Sequence, residues 1–295
     1  MRGLIVALLL AVTLPAQAMR AIFYQPQLRD QSVAAAQWPG LFSALHRQGF
    51  DTVVWQWTRY GQAFATGTER DWLLARMREA HAAGLALIVG LAADPDFFQQ
   101  QQRRDADLPD YLQILQRNDA AQARGLLSAL GPEIIQGWYL AAEVDDMNWR
   151  ETARQQALVD YLRAIRADLS ALSPLPVYIS TFFNGHAAPD AYGQLIDAMT
   201  ASGVYIWLQD GAGTSQLSPV ERERYLSPLA NCHSPHVAGV IHELFINQGT
   251  GGAFAPRRPN ADEAAARLRP PACHALDQLW FSLRYLPGIG EPLPQ

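Results

Sequence analysis

Short apolar segments alternate along the chain with longer segments in which apolar residues recur every three or four positions. The first kind is typical of buried strands and the second of amphipathic helices. The apolar segments predict eight strands, at residues 21–25, 51–57, 85–91, 134–143, 177–180, 204–208, 237–245 and 279–282. The periodic segments predict helices at residues 38–48, 70–83, 112–130, 151–172, 189–202, 219–230 and 262–268.

The order of these elements, strand then helix about eight times over, predicts the fold class. Near-continuous apolar strands are buried on both faces, as parallel strands covered by helices must be. Crossovers between parallel strands are right-handed, so eight repeats can close into a single (β/α)₈ TIM barrel over residues 19–295. The competing fold is an open doubly wound sheet, whose Gly-x-Gly-x-x-Gly turn after the first strand is absent. A long polar insertion covers residues 92–109.

The first eighteen residues have the features of a secretory signal peptide. Arg2 precedes an apolar run at residues 3–14, and Ala16-Gln17-Ala18 fits the small-x-small cleavage rule, which leaves Met19 as the first mature residue. No later run is apolar and long enough to span a bilayer, so we expect no membrane span in the mature chain. We therefore predict a periplasmic or secreted protein.

The charge balance excludes several classes of partner. The formal net charge is −5, or −6 once Arg2 is removed, and no basic cluster exceeds the Arg103-Arg104 and Arg257-Arg258 pairs. Nucleic acid and anionic lipid are therefore not expected partners. Cys232 and Cys273 are the only cysteines. In an oxidising compartment an even count favours one disulfide between them, and the alternative is two unpaired thiols.

The most informative stretch covers residues 134–149, where an apolar and aromatic run turns acidic. Glu143 ends the run, and Asp145, Asn148 and Trp149 follow before the next helical pattern. In a barrel of this kind the functional side chains lie at the C-terminal ends of the strands. We interpret the stretch as a strand that carries a carboxylate to an active site. The alternative is that its acids cap a helix or lie in a loop.

A second glutamate, Glu243, lies near the end of the seventh predicted strand. Side chains alternate along a strand, so Glu143 and Glu243 can both face the barrel mouth and converge. Glycoside cleavage needs such a pair, with one carboxyl protonated to release the leaving oxygen and one ionised to attack the sugar or stabilise its charge. Repulsion and burial raise one pKa and leave the other low. We predict this pair as the catalytic residues.

Other side chains near the strand ends suit a sugar, because aromatic rings offer flat apolar faces and amides or carboxylates bind hydroxyls. The predicted substrate-binding residues are Gln25, Trp57, Asp145, Asn148, Trp149, Phe182, Phe183, Gln209, Asp210 and Asn247. Trp207, in mid-strand, could equally pack in the core. The partner we expect is a carbohydrate polymer or oligosaccharide.

Motifs of other enzyme classes are missing from the chain. It has no Gly-x-Ser-x-Gly elbow, no His-Glu-x-x-His helix and no Walker loop. His233 and His236 could bind a metal, but in a short loop with proline they are more typical of a surface. We therefore predict no metal and no cofactor.

These motifs resemble a bacterial family of glycosidase-like TIM barrels that was long catalogued as a domain of unknown function. The more specific matching stretches are Gly137-Trp138-Tyr139-Leu140-Ala141-Ala142-Glu143-Val144-Asp145 with Asn148-Trp149, and Gln209-Asp210-Gly211. The weaker ones are Glu243-Leu244-Phe245, Val89-Gly90-Leu91 with Asp94-Pro95, and Tyr178-Ile179-Ser180 with Phe182-Phe183. Together they span nearly all of the mature chain.

The layout also resembles the large clan of retaining glycoside hydrolases with an acid/base glutamate after strand four and a nucleophile glutamate after strand seven. The resemblance implies these roles for Glu143 and Glu243. The clan usually places asparagine directly before the acid/base glutamate, where it holds the sugar 2-hydroxyl, and this chain has Ala142 there.

Three functional hypotheses follow. The first is an exported glycoside hydrolase that cleaves a polysaccharide, such as an exopolysaccharide or a cell-wall glycan. The second is a catalytically silent carbohydrate-binding protein on the same scaffold, serving polysaccharide secretion, which the missing asparagine favours. The third, a metal-dependent deacetylase, needs a His/Asp cluster that the sequence does not supply.

Overall fold

The computed structural model describes residues 18–232, 235–249, 253–269 and 275–294. Eight parallel strands form a closed barrel in which each strand pairs with its neighbours in sequence and the last pairs with the first. The strands are β1 (Arg20–Tyr24), β2 (Thr52–Trp55), β3 (Ala86–Gly90), β4 (Ile135–Asp145), β5 (Val177–Phe182), β6 (Tyr205–Gln209), β7 (Gly239–Glu243) and β8 (Asp277–Phe281). The predicted barrel is confirmed.

One helix follows each of the first seven strands. These helices are α1 (Trp38–Arg47), α2 (Gly67–Ala82), α3 (Leu108–Leu130), α4 (Thr152–Leu172), α5 (Pro189–Thr200), α6 (Pro219–Leu229) and α7 (Ala261–Arg267). A short 3₁₀ turn, Leu283–Tyr285, follows β8. Glycines follow the ends of α2 and α3: Gly84 and Gly131 adopt positive φ, of 87° and 88°, which other residues rarely adopt.

Two apolar cores hold the barrel together. The larger one lies between the strands and the helices, where α1 buries Leu41, Phe42 and Leu45 on one face. The smaller one fills the barrel interior and includes four aromatic residues, Phe23, Tyr139, Tyr178 and Trp207. In it the Trp207 ring stacks on Tyr178, with centroids 4.2 Å apart, so Trp207 is a core residue.

The insertion at residues 92–109 is more ordered than the polar pattern predicts. It contains a two-residue strand, Ala92–Ala93, and one helical turn, Phe97–Gln100. Helix α3 begins at Leu108, earlier than expected, because Pro109 stands near its N-terminus, where proline is compatible with helix. The insertion lies at the C-terminal end of β3 and therefore beside the mouth of the barrel.

Two predictions fall on residues outside the described ranges. The signal peptide lies almost wholly in residues 1–17, and Cys273, the predicted partner of Cys232, lies in residues 270–274. Both remain predictions. Among the described residues, no helix is both long and apolar enough to cross a membrane.

Candidate active site

A cavity of about 350 Å³ opens at the C-terminal ends of the barrel strands. Both predicted catalytic glutamates, Glu143 and Glu243, line it. Aromatic residues supply most of its apolar wall, namely Phe98, Phe182, Phe183, Phe245, Phe254, Phe281 and Tyr285. Side-chain amides supply most of its polar wall, namely Gln25, Gln56, Asn184, Gln209 and Gln216. The strand ends thus bring carboxylates, amides and rings together, as the sequence predicts.

Glu143 reaches the cavity because β4 is irregular. Leu140 pairs with Ile179 and Glu143 pairs with Ser180, so two extra residues of β4 lie opposite a single step of β5. Such a bulge re-aims the side chains that follow it. Below it, the Tyr139 hydroxyl hydrogen-bonds with Ser180 Oγ at 2.7 Å.

The surroundings of Glu143 favour its protonated form. Burial raises the pKa of Glu143 to about 7, and the Gln209 amide only partly offsets this. Gln56 Nε2 donates a hydrogen bond to Glu143 Oε1 at 3.3 Å. Neither amide carries a charge, and no cation among the described residues holds this carboxyl ionised.

Glu243 is held differently, by two backbone donors. Its Oε2 accepts hydrogen bonds from the N–H groups of Gly213 at 2.6 Å and Thr214 at 2.9 Å. Burial raises the pKa of Glu243 to about 7, with repulsion from Asp210 and Glu143 acting in the same direction, and the two N–H donors oppose the rise. Because N–H donors bind the anion more strongly than the acid, these two hydrogen bonds favour the ionised form of Glu243.

The turn that carries these donors, residues 210–214, is fixed from both sides. Asp210 Oδ1 accepts hydrogen bonds from Ala212 N at 2.9 Å and Glu243 N at 3.2 Å. Arg267 donates to the carbonyl oxygens of Glu243 at 2.5 Å and Ala212 at 3.1 Å. Gly213 fits because a Cβ there would lie 2.7 Å from the Phe245 carbonyl oxygen. The turn is therefore built around the carboxylate.

Behind Glu243, on the face of β7 that points away from the cavity, His242 bridges two side chains. Its Nδ1 lies 3.3 Å from Asp210 Oδ2 and its Nε2 lies 2.8 Å from Gln278 Oε1. Hydrogen bonds to both raise the pKa of His242 against the effect of burial. With acceptors at both nitrogens, the imidazolium form fits this position and neutralises Asp210.

Four of the predicted substrate-binding residues lie in the cavity wall: Gln25, Phe182, Phe183 and Gln209. The other six serve the structure around it. Asp210 holds the turn, and Trp57 donates its indole N–H to the Pro26 carbonyl at 3.0 Å and packs against Tyr60. Asn247 Oδ1 accepts hydrogen bonds from Gly249 N and Ala255 N within its own loop.

Three predicted residues at or just after the end of β4 also lie outside the cavity wall. Asp145 accepts hydrogen bonds from Gln101 Nε2 at 2.8 Å and from both the backbone and the side chain of Asn148. Trp149 is only 1% exposed and donates its indole N–H to Gln101 Oε1. Arg154 also contacts the Gln101 carbonyl. Asp145, Asn148 and Trp149 therefore anchor the insertion, and none of them lines the cavity as the described residues form it.

The anchored insertion carries a cavity residue, Phe98, that was not among the predicted site residues. Phe98, on the helical turn of the insertion, is 49% exposed and lines the cavity, with its ring 6.3 Å from that of Phe182. Thr214, Gln216, Phe254, Phe281 and Tyr285 were also missed. Most of them lie in loops, where side-chain alternation gives no signal. The adjacent Phe97 and Phe98 in an otherwise polar insertion were the one available indication of Phe98.

The described residues contain no group of three or more His, Cys, Asp or Glu side chains placed to hold a metal ion. His236 pairs with Asp197 at the surface, and His233 lies outside the described ranges. Arginine and histidine are also missing from the cavity wall as the described residues form it. The cavity wall, as the described residues form it, therefore consists mainly of two glutamates, neutral amides and aromatic rings.

Comparisons with known proteins identify a family match and a similar relative. Residues 19–250 match the family described as Domain of unknown function (DUF4434). The chain is 47% identical over 272 residues to the uncharacterized protein YbcH of Escherichia coli (strain K12), covering 92% of this chain and 91% of that protein.

Two solved structures show the same barrel at low identity. One is a GH18 chitinase from Pseudoalteromonas aurantia, with a TM-score of 0.52, 10% identity, and coverage of 93% of this chain and 97% of that one. The other is the catalytic domain of a β-amylase from Paenibacillus polymyxa, with a TM-score of 0.52, 9% identity, and coverage of 94% and 95%. The comparison thus shows that the two structures share the barrel fold of this chain.

Proposed function

We propose that this chain, which belongs to the DUF4434 family, is an exported glycoside hydrolase that cleaves a polysaccharide with Glu143 and Glu243. One observation carries the proposal: a buried glutamate, Glu243, and a half-buried one, Glu143, share an aromatic, amide-lined cavity at the C-terminal mouth of the barrel. Their surroundings suit them to different roles. Two backbone N–H groups favour the anion at Glu243, as a nucleophile needs, and burial among neutral amides favours the protonated form of Glu143, as a general acid needs.

The reaction uses this division in two steps. Glu143 donates its proton to the glycosidic oxygen while the Glu243 carboxylate attacks the anomeric carbon, so the leaving sugar departs and a glycosyl-enzyme ester forms. Glu143, now ionised, takes a proton from water, and the hydroxide attacks the anomeric carbon and releases Glu243. The configuration of the sugar is retained. Activity requires one proton on the pair, so the pH–rate profile is bell-shaped around neutral pH.

The cavity wall narrows the substrate class. Aromatic rings offer stacking faces and five amides offer donors and acceptors for hydroxyl groups. Its described residues provide no cation, and an ionised Glu243 repels carboxylates. The site therefore fits neutral sugars better than uronic acids.

The test is reducing-end release from a panel of neutral and uronate polysaccharides. We expect wild type to act on a neutral member, and Glu143→Gln and Glu243→Gln each to lose at least a hundredfold in rate. Glu223→Gln, which changes an exposed glutamate on α6, is the matched control and should keep full activity. Early anomeric products read by NMR should show retention. Full activity in either cavity variant refutes its role.

A second candidate function is a catalytically silent carbohydrate-binding protein in polysaccharide secretion. Ala142 favours it, because the asparagine usual at this position in the retaining clan would hold the sugar 2-hydroxyl. If this function is correct, calorimetry should show that Glu143→Gln and Glu243→Gln still bind the glycan. Wild type should then show no turnover.

A further inference from the structure

The foot of the barrel, at the opposite end from the cavity, holds a carboxylate against the start of β1. Asp277 Oδ1 accepts a hydrogen bond from the backbone N–H of Met19 at 3.0 Å. The Met19 carbonyl in turn accepts one from Gln278 N at 2.9 Å. Met19 is thus held by β8 through both its backbone groups, directly at the seam where the last strand closes on the first.

Asp277 receives no cation from the described part of the chain. Its other partner is the indole N–H of Trp207, which reaches Oδ2 at 3.2 Å. Burial raises the pKa of the Asp277 carboxyl and nearby Asp51 adds to the rise. Two basic side chains nearby have other partners: Arg20 lies over the rings of Phe50 and Trp280, and Arg166, which lines the same depression as Asp277, donates to the Gly203 carbonyl oxygen at 2.7 Å. A half-buried carboxylate without a counter-ion lowers the stability of the fold.

The sequence places a predicted cleavage point next to this carboxylate. Ala16-Gln17-Ala18 fits the signal-peptidase rule, so the bond that would be hydrolysed joins Ala18 to Met19. Ala18 and Met19 line an open depression at the barrel foot. Hydrolysis adds hydroxyl to the Ala18 carbonyl carbon and a proton to Met19 N. Below its ordinary pKa of about 8, this new amine takes up a second proton and becomes an ammonium.

We propose that Asp277 is the receptor for the α-ammonium of Met19, formed when a signal peptidase removes residues 1–18. The ammonium occupies the position where Met19 N–H already meets Asp277, and the hydrogen bond becomes a charge-assisted ion pair. The pair joins β1 to β8 across the closing seam. Processing thus supplies the missing cation and strengthens barrel closure in the mature chain, while the precursor keeps an uncompensated carboxylate.

The first experiment reads the site directly. The full chain is expressed with its own leader in a bacterium that exports proteins, and the exported product is sequenced from its N-terminus, which we expect to be Met19. The pKa of the ¹⁵N-labelled Met19 amine is then measured by NMR. We expect it about one unit or more above the ordinary 7.7–8.0. A different first residue, or an unshifted amine, overturns the proposal.

The second experiment separates the ion pair from other effects of the leader. A chain beginning at Met19 is compared with one carrying Gly-Ser before Met19, each with and without Asp277→Asn. We expect the extension to lower the urea midpoint in wild type and to have no effect in Asp277→Asn. The difference should be full near pH 6 and vanish as pH rises through the raised amine pKa.

The control is Asp51→Asn, which removes a second carboxylate at the barrel foot that binds the backbone N–H of Arg20. It should leave the effect of the extension in place. An extension effect that persists in Asp277→Asn contradicts the proposal. If Asp277→Asn does not fold, the amine pKa of the wild type alone decides. None of these readouts depends on glycoside cleavage.

Discussion

Replacing Gly213 by alanine tests how the turn keeps Glu243 ionised. The added Cβ would lie 2.7 Å from the Phe245 carbonyl oxygen and 2.9 Å from Glu243 Cβ, closer than real Cβ atoms approach their neighbours. Because the first contact is with backbone, the turn itself must shift. The N–H groups of Gly213 and Thr214 would then move away from Glu243 Oε2.

The size of the effect follows from the hydrogen bonds at risk. A hydrogen bond to a charged group contributes roughly 1.5–3 kcal/mol, and one pKa unit corresponds to about 1.36 kcal/mol. Losing one of the two donors should raise the pKa of Glu243 by about 1–2 units from its value of about 7. The direction is upward because the donors stabilise the anion. The acidic limb of the pH–rate profile should move up by the same amount.

The assay is an NMR titration of ¹³C-carboxyl-labelled glutamate, with Glu243→Gln used to assign the signal. Gly40→Ala is the matched control, since nothing lies within 4 Å of a Cβ at that exposed helix position. Circular dichroism checks that both variants fold. A folded Gly213→Ala protein whose Glu243 pKa is unchanged would refute the idea that the turn sets the charge of this carboxylate.

Three further predictions concern a residue of the cavity wall, a residue that anchors the insertion and a buried carboxyl on α3. Phe98→Ala should weaken glycan binding about two- to tenfold, because it loses an aromatic contact of about 0.5–1.5 kcal/mol. The control is Ile114→Ala, at a similarly exposed position on α3, which should bind the glycan as wild type does. If Phe98→Ala and wild type bind with equal affinity, Phe98 does not contact the glycan. Trp149→Phe should lower the free energy of unfolding by about 1–3 kcal/mol and leave glycan affinity unchanged, because the ring anchors the insertion; a loss of affinity without a loss of stability would restore its predicted sugar contact. Burial raises the pKa of Asp119 to about 7, so the stability that the protonated carboxyl contributes is present below the unfolded pKa of about 4 and is lost as pH rises through 7. In urea titrations the stability of wild type relative to Asp119→Asn should therefore fall by about 2–4 kcal/mol between pH 4 and pH 8. A difference that stays constant with pH would contradict the raised pKa of Asp119.

The barrel could be predicted from the sequence because its strands are short, apolar and separated by periodic helices. These signals are local, and closure follows from eight repeats with one handedness. The position of Glu143 in the cavity wall is less simple. Alternation from Tyr139 correctly predicts its inward direction, but the structure reaches this result through a two-residue bulge against β5, which no pattern in the sequence marks.

The roles of the strand-end polar residues could be predicted only in part. A carboxylate after a strand looks the same in sequence whether it faces a ligand or binds backbone N–H groups. Asp145 and Asp210 do the second, while Glu143 and Glu243 line the cavity. Longer side chains reach the mouth, and short aspartates bind the loops beside them, as is usual for Asp near turns. The positions of Phe98 and Phe254 in the cavity wall depend on the geometry of the segments between the barrel elements, which no pattern in the sequence predicts.

Ala142 also has a structural context that bears on the choice between hydrolase and binding protein. It lies within the β4 bulge, one residue before Glu143, and packs against the outer core. An asparagine here would have to leave that apolar contact to reach a sugar. The amides that face Glu143 come instead from other strands: Gln56 follows β2, and Gln209 ends β6. Both line the cavity, so donors for a hydroxyl beside the acid are present although the usual residue is absent. The substitution therefore removes one standard contact without emptying the site of amides, which keeps the hydrolase the better supported of the two functions.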